Sequence, residues 1–316
     1  MSGAWDEFWA GSDDPAAADA VRASAPGRGL SQFWRDRFDR LMVGGARRLL
    51  DLACGAGAVT GQAARVAAAR AQPLDCVCID VSPAAATAAA QRARAEGLHA
   101  FALVADAGRV PLEVGRFDLV VSQFGVEYAG SGALARAGGL VAPGGRLVIV
   151  AHLDGGPIQE ECAANLAVLS ELADQNLCAL GAALFDALGR PGAIGGPEDM
   201  AYRGAVQACA RTVEQNPGPA AHYATRLVQD ASTLLQRRDA YHRDDAAAWF
   251  TGQAEALSAY RERMRSMVEA ALGDDEIDAV LNAWRSEGLE IIHAEAMAIE
   301  PNEPECAWRL EARRPN

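Results

Sequence analysis

The fold is decided by residues 47–61, which read RRLLDLACGAGAVTG. A short apolar run ends at Asp51, and the turn Gly55-Ala-Gly57 leads into an alanine-rich run of helical period. Glycines between a strand and a helix let the backbone pass close to a ligand, and the helix N-terminus offers unpaired N–H groups. We therefore predict a ligand-binding turn. The match to the dinucleotide pattern GxGxxG/A is imperfect, because Thr60 stands where that pattern has a third small residue.

Acidic residues also close the next two predicted strands. Asp80 lies 23 residues after Gly57, where a carboxylate accepts both hydroxyls of a ribose. Asp106 ends the third predicted strand, which a further βα unit brings to the same edge of the sheet. Taken singly, each acid is explained at least as well by a helix N-cap or a loop carboxylate. Taken together, the three acids favour an adenosine pocket.

Short apolar runs alternate with helical runs from residue 45 to residue 152, which is the pattern of a parallel sheet with crossover helices. Candidate strands are 47–53, 74–80, 100–106, 117–123 and 145–152, and candidate helices are 58–71, 83–96 and 132–141, with Ser82 as N-cap and Pro83 as first helical residue. The final runs predict a hairpin. We expect an α/β fold: a Rossmann-like, doubly wound, mostly parallel seven-stranded sheet with an antiparallel C-terminal hairpin and an inserted helical cap.

Four regions follow from these patterns. Residues 1–44 are N-terminal helices with aromatic side chains on one side, 45–153 are the Rossmann-like core, 154–288 are an inserted segment of four or five helices, and 289–316 are the hairpin that completes the sheet. The inserted segment has 11 arginines against 21 acidic residues, a net charge of −10. A charge-rich solvated helix surface is the simplest explanation, and attraction of a cationic substrate is the alternative.

Composition excludes several classes of protein. All 29 basic residues are arginine, so chemistry that needs an amine, such as a Schiff base or the P-loop lysine, is excluded. A net charge of −13 argues against nucleic acid as partner. No apolar run approaches the ~20 residues of a membrane span, and the N-terminus lacks a secretory signal, which predicts a cytoplasmic protein without membrane insertion. Seven scattered cysteines predict reduced, buried thiols.

Four strings, in this order, resemble the motifs of class I S-adenosylmethionine-dependent methyltransferases, in particular the small-molecule group that includes the ubiquinone and menaquinone biosynthesis enzymes. They are RRLLDLACGAGAVTG, CIDVSPAAATAAAQRA, VADAGRVPLEVGRFDLVVSQFG and GGLVAPGGRLVIV, within residues 46–152. The resemblance implies S-adenosylmethionine as cofactor. It also implies that Asp51, Gly55 and Gly57 surround the methionine part and that Asp80 holds the ribose hydroxyls.

The same resemblance assigns roles to the ends of the third and fourth strands. Asp106 accepts from the adenine amino group, with the backbone of Ala107 beside the ring, and Ser122, Gln123 and Phe124 line the methyl-donor side. N-terminal helices cover the cofactor in many relatives, which implies that role for residues 1–44. This chain lacks the Asn/Asp-Pro-Pro-Tyr motif of members that methylate nucleobases or glutamine, which disfavours those substrates.

Candidate catalytic residues follow the fourth strand and end the fifth. Methyl transfer from a sulfonium is mainly a matter of alignment, and a general base is needed only when the acceptor is protonated. Glu127, Tyr128 and His152 are the candidates, and purely structural roles explain each of them as well. No metal site is predicted, because His222 and His242 lack the helical pair spacing of zinc ligands.

The sequence thus predicts a methyltransferase that uses S-adenosylmethionine to methylate an oxygen, nitrogen or carbon of a small molecule. Two alternatives stay open. An NAD-dependent oxidoreductase shares the sheet and the ribose carboxylate. A non-catalytic protein with a retained methyltransferase fold would act on a partner through the acidic helical segment. The sequence indicates neither the acceptor nor an oligomeric state.

Overall fold

The computed structural model describes residues 2–9 and 28–316. These residues form two compact units. The first, which we call the sheet unit, runs to Gln159 and resumes from Glu269 to Asn316. The second, which we call the helical unit, is Glu160–Val268.

The sheet unit is built on one seven-stranded mixed sheet with strand order β3-β2-β1-β4-β5-β7-β6. The strands are β1 (Arg48–Leu52), β2 (Asp75–Asp80), β3 (His99–Val104), β4 (Phe117–Gln123), β5 (Val141–His152), β6 (Glu290–Met297) and β7 (Ala307–Arg313). Strands β1 to β5 are parallel to their neighbours, β7 is antiparallel to β5, and β6 is antiparallel to β7. The predicted α/β class and the C-terminal hairpin are confirmed.

Six α-helices accompany the sheet within the described residues. They are α1 (Ser2–Trp9), α2 (Arg28–Leu41), α3 (Ala58–Ala69), α4 (Pro83–Ala95), α5 (Ser131–Gly139) and α11 (Asp274–Ser286). The Ser82 hydroxyl caps α4 by accepting from the Ala85 N–H at 3.2 Å, and Pro83 begins the helix. This cap confirms the start predicted for α4.

Two apolar clusters bury the two faces of the sheet. One contains Trp34 and Phe38 of α2, whose rings stack at 5.6 Å, together with residues of α3 and α4. The other contains Leu134 of α5 and Trp284 of α11. Each large side chain buried in this way stabilises the fold by about 1.5–3 kcal/mol. Helix α2 is also held by an ion pair between Arg37 and Glu311 of β7, at 2.8 Å.

Helix α11 belongs to the sheet unit, although the sequence pattern places it in the inserted segment 154–288. Its buried stripe of Ile277, Val280, Leu281 and Trp284 has the spacing of one helix face. The Trp284 indole donates to the Leu134 carbonyl oxygen at 2.9 Å. The compact helical unit is shorter than the predicted segment because α11 packs against the sheet. Helical period alone does not indicate which surface a helix covers.

The helical unit contains or shares five α-helices. They are α6 (Pro157–Asp174), α7 (Leu177–Ala187), α8 (Pro197–Gln215), α9 (Pro219–Gln236) and α10 (Arg243–Ala270). With α11, residues 155–288 hold six α-helices, which exceeds the predicted four or five. Across the described part of the chain, no helix is both long and apolar enough to span a membrane.

The predicted N-terminal region 1–44 is described in part. It contains α1 and α2. Residues 10–27 lie outside the described residues. The aromatic spacing that predicted these helices places Phe8 of α1 and Trp34 of α2 in buried positions.

Candidate functional site

The loop after β1 has an unusual backbone. Ala53, Gly55 and Gly57 all have positive φ, at 51°, 49° and 79°. A Cβ on Gly57 would lie 2.6 Å from the Ala89 Cα, so only glycine allows α3 to begin this close to α4. The glycine turn therefore sits where the sequence predicted it, at the carboxyl edge of the sheet.

Asp51 lies beneath this turn and is almost completely buried. Its Oδ2 accepts from the Thr60 hydroxyl at 2.6 Å and from the Thr60 backbone N–H at 3.2 Å. Burial raises the pKa of Asp51 to about 7, the two hydrogen bonds from Thr60 oppose that rise, and the nearby carboxylate of Asp80 adds to it. Thr60, which breaks the dinucleotide pattern, is thus the hydrogen-bond partner of the first acid.

Asp80 ends β2 and faces the glycine turn. Its Oδ2 accepts from the Gly55 N–H and its Oδ1 from the Ser82 N–H, both at 2.9 Å. Burial raises the pKa of Asp80, against the lowering effect of these backbone hydrogen bonds. Each carboxylate oxygen has two lone pairs, so the carboxylate keeps acceptor capacity beyond its backbone donors Gly55, Val81 and Ser82.

Asp106 and Ala107 follow β3, the edge strand beside β2. The Ala105 N–H donates to the Asp80 carbonyl oxygen at 3.0 Å, which ties this loop to the end of β2. The Asp106 carboxylate accepts from the Gly108 N–H at 2.7 Å and so shapes the turn around Ala107. The structure brings the three predicted acids to the ends of three neighbouring strands.

Three hydrogen bonds hold the end of β4 in place. The Ser122 hydroxyl donates to the Leu52 carbonyl oxygen at 2.7 Å and accepts from the Val126 N–H at 3.0 Å, so it joins β4 to β1. The Gln123 Oε1 accepts from the Trp34 indole at 2.6 Å. Phe124 has a φ of 48°, which turns the chain sharply after the strand.

The candidate catalytic residues form one cluster. The Glu127 Oε1 lies 2.8 Å from the His152 Nδ1, and the two side chains are 0 % and 3 % exposed. The His152 ring is 4.5 Å from the Phe124 ring and 5.6 Å from the Tyr128 ring, between centroids. Sequence analysis named the three candidates separately and did not predict that Glu127 and His152 pair.

Helix α1 contacts the loops after three strands. A Cβ on Gly55 would lie 2.7 Å from the Trp9 indole, which places that ring directly over the glycine turn. The Asp6 carboxylate accepts from the Ser82 hydroxyl at 2.5 Å. The Trp5 ring meets the Tyr128 ring edge-on at 5.4 Å. The aromatic spacing predicted a helix here but carried no information about these partners.

The cysteines and the possible metal ligands are separate from the cluster of Glu127, Tyr128 and His152. All seven cysteines are buried free thiols, as predicted, and burial raises the pKa of Cys178 to about 11. Within residues 2–9 and 28–316, no three His, Cys, Asp or Glu residues are grouped so as to hold a metal ion.

Comparison with known proteins assigns the core to a family. Residues 49–145 match the family model of a methyltransferase domain. A ubiquinone/menaquinone biosynthesis C-methyltransferase of Dinoroseobacter shibae is 35% identical over 127 residues, which are 39% of this chain and 49% of the relative. A demethylmenaquinone methyltransferase of Thermus thermophilus is 36% identical over 125 residues, 39% of this chain and 55% of the relative.

The chain spans about half the length of these curated relatives. Among solved structures, a SAM-dependent methyltransferase of Leishmania major aligns over 98% of this chain and 81% of its own, with a TM-score of 0.49 and 8% identity. Residues 49–145 thus match a methyltransferase domain, and the relatives are methyltransferases of quinone biosynthesis, the group whose motifs the sequence resembles. The predicted resemblance is confirmed.

Proposed function

We propose that this protein is an S-adenosylmethionine-dependent methyltransferase that acts on a small molecule. One observation carries the proposal: a glycine turn and three acids stand at the carboxyl ends of neighbouring parallel strands, inside the residues that match the methyltransferase family. In open α/β sheets, ligands bind at this edge. The acceptor, whether oxygen, nitrogen or carbon, is not fixed by the family match.

The residues present fit this cofactor. Gly55 lacks the side chain that would keep a ligand away from the turn, and Asp80 retains acceptor capacity for ribose hydroxyls. We propose that the methionine part is held by Asp51, Gly55 and Gly57, the ribose by Asp80, the adenine by Asp106 and Ala107, and the methyl-donor side by Ser122, Gln123 and Phe124. When bound, the cofactor supplies an electrophilic methyl group on a positively charged sulfur.

The residues of the chain would hold the cofactor in position and offer a negative charge to its amino group. The Asp51 carboxylate, once ionised, stabilises a cationic amino group in a site where burial strengthens the attraction. The Trp34 indole fixes the amide of Gln123, because an N–H donor at Oε1 leaves the amide nitrogen on the opposite side. Glu127, Tyr128 and His152 stand at the ends of β4 and β5 and are the proposed catalytic group.

We also propose that residues 1–44 cover the cofactor. Three contacts of α1 support this role: Trp9 over Gly55, Asp6 with Ser82, and Trp5 against Tyr128. Because the Trp9 indole lies against the turn, a ligand that reaches the Gly55 backbone must displace the ring. Fluorescence of Trp9 should therefore report cofactor binding.

Residues 154–288 are proposed to form the substrate-binding cap. Their position between β5 and β6 supports this role, since they follow the strand end that carries His152. The net charge of −13 supports a partner other than nucleic acid. A cytoplasmic location without membrane insertion remains a prediction.

Calorimetry with S-adenosylhomocysteine tests the proposal. We expect micromolar-range binding to the wild-type chain, and loss of binding in Asp80→Ala and in Gly55→Val. Asp75→Ala is the matched control, because Asp75 begins the same strand at its opposite end and its side chain is 61% exposed. That variant should bind like wild type.

Three outcomes would contradict the proposal. A folded wild-type chain without detectable binding of S-adenosylhomocysteine would refute it. Thermal stabilisation by NAD but not by S-adenosylhomocysteine would indicate an oxidoreductase instead. Cofactor binding without turnover of any acceptor, together with a stable complex with a partner protein, would indicate a non-catalytic protein.

A further inference from the structure

The Glu127 carboxylate is held in one orientation by two backbone N–H groups and a close contact with the His152 ring. Its Oε1 accepts from the His152 backbone N–H at 3.2 Å and lies 2.8 Å from the His152 Nδ1, while its Oε2 accepts from the Gly125 N–H at 2.8 Å. Each Glu127 oxygen already accepts a backbone N–H, and the acceptor role at Oε1 is kept when the His152 ring nitrogen is also a donor. The fully buried Glu127 is therefore the acceptor in its contact with the ring of His152.

This contact decides the tautomer of His152. Because Glu127 accepts, the hydrogen must be on Nδ1, which leaves Nε2 as the ring nitrogen that can take a proton. A neutral imidazole fixed in this way has the arrangement of a general base whose orientation is set by a carboxylate. The His152 ring also lies against the rings of Phe124 and Tyr128.

The pair stands next to the proposed cofactor turn. The Phe124 N–H donates to the Val150 carbonyl oxygen at 2.8 Å, so the loop with Glu127 begins beside the end of β5. A Cβ on Gly125 would lie 2.7 Å from the Ala53 carbonyl oxygen, so this loop touches the loop after β1. Glu127 and His152 thus adjoin the elements proposed to hold the methyl donor.

We infer that His152 is the general base of the reaction, that Glu127 is its positioning residue, and that the acceptor is a hydroxyl group. This inference rests on the proposed function. A phenolic or alcoholic hydroxyl keeps its proton near neutral pH, and its oxygen is a weak nucleophile until that proton moves. A neutral amine already has a lone pair to donate, and a thiol ionises near pH 8.5 without a positioned base.

The proton and electron balance is complete without another reactant. The acceptor hydroxyl gives its proton to the His152 Nε2 while its oxygen forms the new C–O bond. The methyl carbon leaves sulfur, and the electron pair of that C–S bond stays on the sulfur. His152 becomes an imidazolium paired with the Glu127 carboxylate and then releases the proton to solvent.

Two variants of the full chain separate a catalytic from a structural role. His152→Asn places an amide N–H near the position of Nδ1, so it keeps the hydrogen bond to Glu127 and lacks the basic nitrogen. Glu127→Gln keeps the shape of the side chain but loses the charge and one acceptor oxygen. Affinity for S-adenosylhomocysteine should stay within twofold of wild type in both variants. The melting temperature should match wild type in His152→Asn and fall in Glu127→Gln, where the amide nitrogen faces a buried backbone N–H.

The first measurement is nitrogen-15 NMR of His152 in the complex with S-adenosylhomocysteine. We expect the neutral tautomer with hydrogen on Nδ1 in the wild type and a mixture of tautomers in Glu127→Gln. The second is formation of S-adenosylhomocysteine with three probes of similar size, which are catechol, aniline and thiophenol, and identification of the methylated catechol as the O-methyl ether or the ring-methylated compound. Turnover should be confined to catechol and should fall about 10²–10⁴-fold in His152→Asn.

Each other outcome overturns the inference. A tautomer with hydrogen on Nε2, or an imidazolium throughout the neutral range, removes the proposed base. Wild-type turnover of catechol by His152→Asn makes the pair a structural tie between β4 and β5. Turnover of aniline or thiophenol alone, methylation of catechol on a ring carbon, or turnover of no probe by a chain that binds S-adenosylhomocysteine, rejects the hydroxyl acceptor. Failure of the wild type to bind S-adenosylhomocysteine rejects the proposed function instead.

Discussion

Replacing Asp51 by asparagine is expected to stabilise the ligand-free chain while weakening its hold on the cofactor. The carboxylate is 1% exposed, and its partner within hydrogen-bond distance is the neutral residue Thr60. Burial raises its pKa to about 7. The unfolded chain, where the group is in water, has a pKa of about 3.9. The folded state therefore binds this proton more tightly than the unfolded state does.

The sign and size of the pH effect follow from this difference. Asp51 costs nothing below about pH 4, where both states are protonated, and the cost grows as pH rises from about 4 to about 7. A pKa difference of about three corresponds to about 4 kcal/mol of unfolding free energy once pH exceeds 7. Asparagine avoids this cost and keeps an oxygen that accepts from the Thr60 N–H.

Urea unfolding of the ligand-free protein at several pH values is the assay. Asp51→Asn should match the wild type near pH 4 and exceed it by up to about 4 kcal/mol at pH 8. Asp118→Asn is the control, because backbone hydrogen bonds from Arg47 and Arg48 and the Arg48 guanidinium hold the pKa of Asp118 below its usual range, against the effect of burial. It should lose stability without changing the slope above pH 5. Parallel stability curves for Asp51→Asn and wild type from pH 4 to pH 8 would refute the reasoning.

Three further predictions concern the same sheet unit. Affinity for S-adenosylhomocysteine should fall up to about tenfold per pH unit below pH 7, because Asp51 must lose a proton to bind the cationic amino group of the ligand. Calorimetry of Asp51→Asn should show no such dependence on pH. Gly57→Ala should lower the free energy of unfolding in urea by about 1–3 kcal/mol more than Gly97→Ala. Both glycines have positive φ, but only the new Cβ at position 57 would clash, with Ala89, so equal losses would contradict this. Trp284→Phe removes the indole hydrogen bond to the Leu134 carbonyl and part of a fully buried ring, and should cost about 1–3 kcal/mol, so an unchanged melting temperature would argue against that hydrogen bond.

The sheet and its acids were predictable because both depend on local pattern and chain direction. Apolar runs that are buried on both faces mark parallel strands, and the run 117–123 matches β4 residue for residue. Parallel strands present their carboxyl ends at one edge, so acids that end successive strands meet there. Asp51 and Asp80 were placed correctly at the ends of β1 and β2 without any knowledge of side-chain contacts.

The cluster around His152 was not predictable, because it depends on partners far apart in the chain. Glu127 and His152 are 25 residues apart and meet only through the register of β4 on β5. Trp9 reaches Gly55 through the docking of a whole helix, which aromatic spacing does not specify. Helix α11 falls within the predicted segment 154–288, and its helical period did not indicate that it packs against the sheet, because that period is the same whichever surface a helix covers.

The chain segments that flank the helical unit are joined to each other inside the sheet unit. The Leu272 N–H donates to the His152 carbonyl oxygen and the Asp154 N–H donates to the Leu272 carbonyl oxygen, both at 3.0 Å. These two hydrogen bonds bring together the beginning and the end of the segment between Asp154 and Leu272. Because hydrogen bonds within the sheet unit hold the two flanking segments together, the segment between them can change in length or be replaced without altering the sheet. Homologues should differ in length mostly in this segment, and homologues that differ in it should also differ in acceptor preference.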